Sequence, residues 1–443
     1  MLLLRPLYLR FRCKGVFFNE KGWVLSVPKT RKVVVGIAGG VAAYKACHVV
    51  RAFKELSDDV RVVPTANALK FIGAATLEAL SGNPVTASVY DRVDEVQHVN
   101  VGKQADLIVI APATADLLAR MVAGRADDLL TATLLVATCP VVVAPAMHTE
   151  MWLHPATQEN VRTLRRRGIK VLDPAHGRLT GADSGPGRLP DPQQIVDLAL
   201  AVYEGADLPR DLENRKVVIS AGGTQERIDP VRCITNSSSG RQGFACAEIA
   251  AQRGAEVVVV AGRTDELPVP LGARVIRVAS ARDMHEVCMA EAMDADIVVM
   301  SAAVADYRPA SEAPLKLKKG SADAALSRIE LVENPDILKS LVEARHDSQI
   351  KETTVIVGFA AETGDSSHSA LDFAREKILR KGCDLLMCNE VGEGLVFGET
   401  RNRGFLLHSS GEYQEIPDGS KLRVASSILD AAVKNLDQRR GAD

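Results

Sequence analysis

The sequence lacks a large excess of charge, a paired cysteine motif and a long apolar run. Its 54 Lys and Arg nearly balance 56 Asp and Glu, so no whole-chain field favours nucleic acid or an acidic membrane. The eight cysteines include no CxxC pair, which predicts reduced thiols in a cytoplasmic chain without a structural zinc site. The longest apolar stretch, residues 134–147, is too short and too interrupted to span a bilayer. We therefore expect small-molecule partners, no nucleic acid and no membrane.

What is present is the pattern of an α/β protein. The chain has 443 residues, enough for two or three domains, and 47% of them are hydrophobic. Short β-branched runs alternate with helical periodicity, which predicts strand-helix-strand units and parallel sheets. The pattern runs once through residues 33–37, 60–63, 107–110, 141–144 and 169–172, then restarts through 216–219, 256–260, 274–278, 297–300, 354–357 and 385–388.

The restart predicts two Rossmann-like domains with parallel sheets, at residues 30–203 and 215–443. Residues 204–214 are polar with Gly and Pro and are predicted to be the linker. Residues 1–29 carry six basic residues and one acidic residue. They are predicted to be a tail or an over-extended start, with a targeting or membrane-surface segment as the alternative. Residues 309–326 have no apolar period and are predicted to form a long mobile loop near an active site.

Each predicted domain has a glycine-rich turn after its first strand. In the first, Gly39 and Gly40 stand where a strand meets a helix, so backbone N–H groups can approach a phosphate. The alternative is that these glycines only permit tight packing. The spacing is not GxGxxG, and the second strand ends at Thr65 without the acid that binds ribose, which disfavours a nicotinamide dehydrogenase.

The second domain places 236-NSSSG-240 before a helix beginning near Arg241. A serine cap explains one hydroxyl, but three serines with Asn and Gly favour an anion or carboxylate site. Lysines follow at positions 316, 318, 319, 377 and 381. They are either solvated charges or the groups that neutralise a triphosphate.

Several motifs together resemble one family. In the first domain they are 39-GGVAAYK-45, 111-APATAD-116, 145-PAMHTEMW-152 and 181-GADSGPGR-188; in the second they are 229-DPVRCITNSSSG-240, 302-AAVADYRP-309, 334-NPDI-337 and 358-GFAAE-362. In this order they resemble the bifunctional coenzyme A biosynthesis proteins, in which a phosphopantothenoylcysteine decarboxylase is fused to a phosphopantothenate–cysteine ligase. The resemblance runs from residue 31 to the C-terminus.

For the first domain the resemblance implies a flavoprotein that decarboxylates a cysteinyl substrate. FMN would supply the electron sink that side chains cannot provide. His98 would be the active-site histidine, and Met147, His148, Met151 and Arg188 would bind substrate. The flavin would be held by Gly39, Gly40, Thr65, Ala111, Pro112, Ala113 and Thr114.

Two positions depart from the family pattern. His148 stands where the family motif has an Asn that binds the substrate carboxylate; a histidine can also donate a hydrogen bond to a carboxylate. Gly181 stands where many members have a cysteine that donates the final proton. Thr180, a water or another residue would then replace that donor, or this half stops at an oxidised product.

For the second domain the resemblance implies a CTP-dependent ligase. Asn236 would handle the acyl intermediate, and Lys316 would offset charge on the triphosphate. Mg²⁺ would enter with CTP, and no side chain is assigned as a metal ligand. The CTP contacts would be Asp306, Lys316, Pro335, Asp336, Ile337, Leu338, Phe359, Lys377 and Lys381.

The leading hypothesis is an enzyme that makes 4′-phosphopantetheine from 4′-phosphopantothenate, L-cysteine and CTP. A second hypothesis is a ligase whose flavin domain is kept only for assembly, suggested by His148 and Gly181. A third is a flavin-binding regulatory protein similar to decarboxylase-like phosphatase inhibitors, which would not need Asn236 or Lys316. The resemblance also implies a homo-oligomer, a dodecamer built from decarboxylase trimers and ligase dimers.

Overall fold

The structure is a computed structural model. It describes residues 16–18, 24–26, 30–90, 97–178, 184–317, 328–362, 369–390 and 401–441. In that part of the chain, no helix combines the length and the apolar character that crossing a membrane requires.

The first half of the chain builds a five-stranded parallel sheet. The strands of this half, including four outside the sheet, are β1 (Val16–Phe18), β2 (Val24–Ser26), β3 (Lys32–Ile37), β4 (Asp59–Pro64), β5 (Leu107–Ala113), β6 (Val141–Pro145), β7 (Lys170–Val171), β8 (Ala175–Arg178) and β9 (Ser184–Arg188). Its helices are α1 (Ala46–Glu55), α2 (Ala74–Ser81), α3 (Gln97–Gln104), α4 (Ala115–Val122), α5 (Leu129–Val136), α6 (Thr149–Leu153), α7 (Pro155–Arg166) and α8 (Pro192–Tyr203), with 3-10 turns at Val41–Lys45 and Ala68–Lys70. The sheet order is β4-β3-β5-β6-β7, while β1–β2 and β8–β9 form separate antiparallel pairs.

The second half builds a larger sheet. The strands of this half, including the separate pairs β11–β12 and β16–β17, are β10 (Lys216–Ala221), β11 (Gln225–Arg227), β12 (Cys233–Thr235), β13 (Glu256–Ala261), β14 (Arg274–Arg277), β15 (Ile297–Met300), β16 (Tyr307–Pro309), β17 (Leu331–Glu333), β18 (Val355–Glu362), β19 (Leu385–Glu390), β20 (Arg401–His408) and β21 (Tyr413–Ser420). Its helices are α9 (Arg241–Gln252), α10 (Ala281–Ala292), α11 (Ile337–His346), α12 (Ala370–Lys381) and α13 (Lys421–Arg440). The eight strands run in the order β14-β13-β10-β15-β18-β19-β20-β21.

The predicted α/β fold with two parallel sheets is confirmed. Every predicted strand is present. The central strands are short apolar runs buried on both faces; Val35, Ile110 and Val259, for example, are fully buried. The sequence pattern did not reveal β20 and β21, which pair antiparallel at one edge of the larger sheet. Helices α8, α9 and α13 contribute to one apolar core that joins both halves.

Residues 204–214 are held against the second half. Leu212 is fully buried, and the carboxylate of Glu204 accepts a hydrogen bond of 2.9 Å from the Ser420 N–H. Arg253, at the C-terminal end of α9, is 1% exposed and donates to Asp211 at 2.9 Å and to Asp430 at 2.6 Å. The segment predicted as a linker therefore fixes α9 through a buried guanidinium.

Candidate active sites

The predicted flavin residues lie at the carboxyl edge of the first sheet. Gly39 follows β3, Thr65 follows β4, and Ala111–Thr114 end β5 and lead into α4. The Ala38 N–H donates to the Pro112 carbonyl at 3.0 Å, and the Thr65 N–H donates to the Ile37 carbonyl at 2.9 Å. Neighbouring parallel strands thus bring their ends together, where ligands of open α/β sheets bind.

The two glycines of this edge have different surroundings. A Cβ on Gly39 would lie 2.5 Å from the Asn67 Cβ and 2.7 Å from the Asn67 main-chain carbon. A Cβ on Gly40 would meet only the Thr114 methyl group at 3.7 Å. Gly39 therefore permits a close approach of two loops, whereas Gly40 borders open space at the start of the Val41–Lys45 turn.

His98 lies on α3, which packs against α5. Its Nδ1 atom is buried and has no hydrogen-bond partner among the described residues. The same is true of the hydroxyl oxygen of Thr149, at the start of α6. Because buried polar atoms are almost always paired, both atoms are suited to a bound molecule. With the glycine edge, they fit the flavin and substrate that the family pattern implies.

The predicted substrate residues lie around β9. The Met147 N–H donates to the Gly187 carbonyl at 2.9 Å, which fixes the 145–148 loop to that strand. His148 is exposed and begins α6 without a side-chain cap bond, and Met151 and Arg188 are also exposed. Thr180 and Gly181 lie outside the described residues.

Lys45 adds a cation that the site assignment from sequence missed. Burial and the nearby charge of Arg188 lower the pKa of Lys45, while Asp191 partly opposes them. The signal in the sequence was its place at the end of the glycine-rich turn. Two neighbouring cations beside that turn favour an anionic group.

The predicted ligase residues surround one cavity in the second half. Its volume is about 750 Å³, within the range of about 300–1,000 Å³ of small-molecule sites. It lies at the carboxyl ends of β15, β18 and β19 and at the start of α9. The lining includes Asn236, Asp306, Pro335, Asp336, Ile337, Leu338, Phe359, Lys377 and Lys381.

Lys316 is the exception, because it is exposed and does not line this cavity. The next residue is held by a buried acid: the Leu317 N–H donates to Asp229 at 3.2 Å. Arg232 donates to the same carboxylate at 2.8 Å and to the Leu317 carbonyl at 3.2 Å. Residues 318–327, which include half of the predicted long loop, lie outside the described residues.

Several cavity side chains are already oriented by protein groups. The Asn236 amide donates to the Val304 carbonyl at 3.0 Å. Asp336 begins α11, accepts the Lys339 N–H at 3.1 Å and pairs with Lys381. Burial alone would raise the pKa of Asp336, but the bonds from Lys381 and the Lys339 N–H lower it overall. The carboxylate therefore stays ionised beside a lysine.

Sequence reasoning missed several polar residues that line the cavity, among them Gln242, Asn389 and Lys421. Gln242 lies in the first turn of α9, and Asn389 lies near the end of β19, so both positions could have been read from the predicted elements. Lys421 starts α13 and follows the edge strands that the pattern did not reveal. Within the described residues, no three His, Cys, Asp or Glu side chains form a metal-binding group.

Comparisons with known families divide the chain in two. The Flavoprotein family matches residues 26–204, and the family described as DNA/pantothenate metabolism flavoprotein C-terminal domain matches residues 212–436.

Relatives span nearly the whole chain. The coenzyme A biosynthesis bifunctional protein CoaBC of Mycolicibacterium smegmatis is 56% identical over 412 residues, 93% of this chain and 99% of the relative. The protein of the same name from Vibrio vulnificus is 43% identical over 402 residues, 90% of this chain and 96% of the relative. A crystal structure of the C-terminal domain of a CoaBC protein is 34% identical and covers 52% of this chain and 99% of that one, with a TM-score of 0.42. The chain belongs to the family of bifunctional coenzyme A biosynthesis proteins.

Proposed function

We propose that the chain makes 4′-phosphopantetheine in two steps. The second half joins 4′-phosphopantothenate to L-cysteine at the expense of CTP, and the first half removes CO₂ from the product with the help of FMN. The observation that carries the proposal is that Asn236, Asp306 and the 335–338 segment line one cavity. A flavin-binding regulatory protein would not require that cavity.

The chemistry of the ligase step begins with a poor electrophile. A carboxylate oxygen of phosphopantothenate attacks the α-phosphorus of CTP, the bond to the β-phosphate breaks, and pyrophosphate leaves. The cysteine amine then attacks the acyl carbon, CMP leaves, and the amine loses a proton. Asn236, Lys377 and Lys381 all line the cavity. In this scheme Asn236 hydrogen-bonds the acyl group, and the two lysines offset the charge of the triphosphate.

Lys316 has a separate part in this proposal. It lies outside the cavity lining while its neighbour Leu317 is held by Asp229. We assign it to the charge that builds on the leaving pyrophosphate. Mg²⁺ enters as the partner of the CTP phosphates.

The first half is proposed to hold FMN at the edge formed by Gly39, Gly40, Thr65 and Ala111–Thr114. When bound, FMN supplies the electron acceptor that allows the carboxylate to leave. The unpaired Nδ1 of His98 can accept or return a proton there. Met147, His148, Met151 and Arg188 would orient the substrate, with His148 donating to its carboxylate.

We also propose that the chain works as a cytoplasmic homo-oligomer, by analogy a dodecamer. Apolar side chains exposed next to the glycine-rich turn, Val41 at 58% and Tyr44 at 56%, support an interface there. Light scattering of the purified protein measures the assembly, and a monomer would refute it.

The test of function is mass spectrometry of the product. Purified protein is mixed with CTP, Mg²⁺, phosphopantothenate and cysteine after its bound flavin has been recorded. Phosphopantetheine is the expected product. Accumulated phosphopantothenoylcysteine would mean that only the ligase works and that His148 and Gly181 mark an inactive first half. No product and no pyrophosphate would refute the ligase step.

A further inference from the structure

Asn334 connects two segments of the ligase cavity. It stands between β17 and the start of α11, immediately before the 335–338 segment. Its main-chain N–H donates to the Asp306 carbonyl at 2.8 Å, and its side-chain amide donates to the Ala305 carbonyl at 2.8 Å. Both bonds reach the loop that follows β15, so one residue holds two walls of the cavity together.

The same loop orients Asn236 from the other side. The amide of Asn236 donates to the Val304 carbonyl, next to the carbonyl that receives Asn334. The Ala305 N–H in turn donates at 3.0 Å to the hydroxyl of Thr224, which is fully buried. A short strap of main chain, residues 304–306, therefore lies between the two asparagines and is fixed from behind.

The Asn334 amide is itself held in one orientation. Arg308, on β16, donates to its Oδ1 atom at 3.1 Å and also to the Glu333 carbonyl. The amide nitrogen must then face Ala305, where it is a donor. The amide oxygen accepts from a guanidinium and the amide nitrogen donates to a main-chain carbonyl, so each polar group has one partner. The side chain is therefore held in one orientation and fixes the distance between the two segments.

We propose that Asn334 is a positioning residue that couples the two steps of the ligase reaction, formation of the acyl-cytidylate and attack by cysteine. It ties the segment that seats the nucleotide, residues 335–338, to the strap that sets the Asn236 amide. Loss of its side-chain donor lets the strap shift at Ala305, and the Asn236 amide is then misplaced for the acyl group formed on the nucleotide. This inference rests on the proposed ligase function.

The test compares pyrophosphate release with ligated product at saturating CTP. Asn334→Asp keeps the side-chain size and the partner of Arg308 but removes the donor to Ala305. Misplacement of Asn236 by about 1 Å should slow the cysteine step by about 100-fold, with a smaller effect on pyrophosphate release. Pyrophosphate then exceeds the sum of phosphopantothenoylcysteine and phosphopantetheine, and acid-quenched samples contain the acyl-cytidylate, whereas in the wild type pyrophosphate equals that sum.

Two further variants make the result decisive. Asn435→Asp changes another amide that donates to a main-chain carbonyl, that of Ala431 at 2.9 Å, away from the cavity, and should keep equal yields. If Asn334→Asp does not fold, Arg308→Gln removes the guanidinium that orients Asn334 and should shift the ratio in the same direction. Equal yields in a folded Asn334→Asp protein, at any rate, would overturn the proposal. A wild type that releases no pyrophosphate would instead refute the ligase function.

Discussion

The carboxyl edges of the two sheets prepare their polar groups differently. At the first edge, the Nδ1 atom of His98 and the hydroxyl of Thr149 are buried without partners among the described residues, and Gly40 borders open space. At the second edge, Asn236 and Asn334 already donate to main-chain carbonyls. The first edge leaves polar groups for a bound molecule to satisfy, and the second satisfies them internally.

This difference matches the two kinds of ligand. A flavin that stays bound can be a permanent part of the packing, so groups that face it need no other partner. Substrates that enter and leave at every turnover need a site that keeps its shape when empty, because reorganisation would cost binding energy. This difference between the two edges can be tested by changing a group at one edge and measuring the reactions of both halves.

The largest effect is expected for His98→Asn. Asn cannot accept and return a proton near neutral pH, so CO₂ evolution should fall by about 1,000-fold. Pyrophosphate release by the second half should not change, and FMN should remain bound. The measurements are CO₂ release, pyrophosphate release and flavin absorbance. His48→Asn, an exposed position on α1, is the matched control, and continued CO₂ evolution in the His98 variant would remove this residue from the reaction.

A large loss of stability is expected for Asp211→Ala. It leaves the fully buried guanidinium of Arg253 with Asp430 as its remaining carboxylate partner, which should cost about 3 kcal/mol in the free energy of unfolding. Arg253 ends α9, so pyrophosphate release should be lost at a lower urea concentration while FMN binding changes little. The measurement is urea unfolding, followed by pyrophosphate release and by FMN binding. An unchanged urea midpoint would contradict it, and Asp437→Ala, at an exposed site on α13, serves as control.

Smaller effects, of two different kinds, are expected from substituting the two glycines of the first edge. Gly39→Ala forces a methyl group onto the main chain of Asn67 and should cost about 2 kcal/mol of stability. Gly40→Ala meets only Thr114 at 3.7 Å and should keep stability. It should weaken FMN binding about 10-fold, because the added methyl group enters the space in which we propose that the flavin binds. Thermal unfolding and flavin titration separate the two. Equal behaviour of both variants would refute the distinction.

The sequence predicted the elements whose signal is local. Apolar runs such as residues 33–37 and 297–300 identify central strands, because strands buried on both faces have no polar alternation. The edge strands β20 and β21 were not predicted from the sequence, because they mix exposed and buried positions and form no continuous apolar run. The small pairs β11–β12 and β16–β17 were missed because they have three residues per strand.

The candidate sites were predictable only in part for the same reason. Motifs identified Asn236 and Asp306, but not the bonds that fix the main chain between them, since Asn334 and Thr224 reach Ala305 across 29 and 81 residues of sequence. Nor did the sequence indicate that Lys316 stands outside the cavity lining. That position depends on Asp229, which is 88 residues from Leu317.

The smallest effect concerns a carboxyl group at the contact between the halves. Glu248 on α9 is 7% exposed, and it accepts hydrogen bonds from Gln252 at 3.2 Å and from Gln194 on α8 at 3.4 Å. Burial, with a smaller contribution from the charge of Asp197, raises the pKa of Glu248 to about 7 despite those bonds.

Because the folded pKa lies above the unfolded value, Glu248 contributes stability at low pH and loses it as pH rises through about 7. Between pH 6 and pH 8 the free energy of unfolding should fall by about 1 kcal/mol from this group. In Glu248→Gln that fall should disappear, since the amide does not titrate. Urea unfolding of both proteins at the two pH values measures the difference, with Glu256→Gln, an exposed position at the start of β13, as control. Parallel pH dependence of the wild type and Glu248→Gln would show that the contact between the two halves does not titrate in this range.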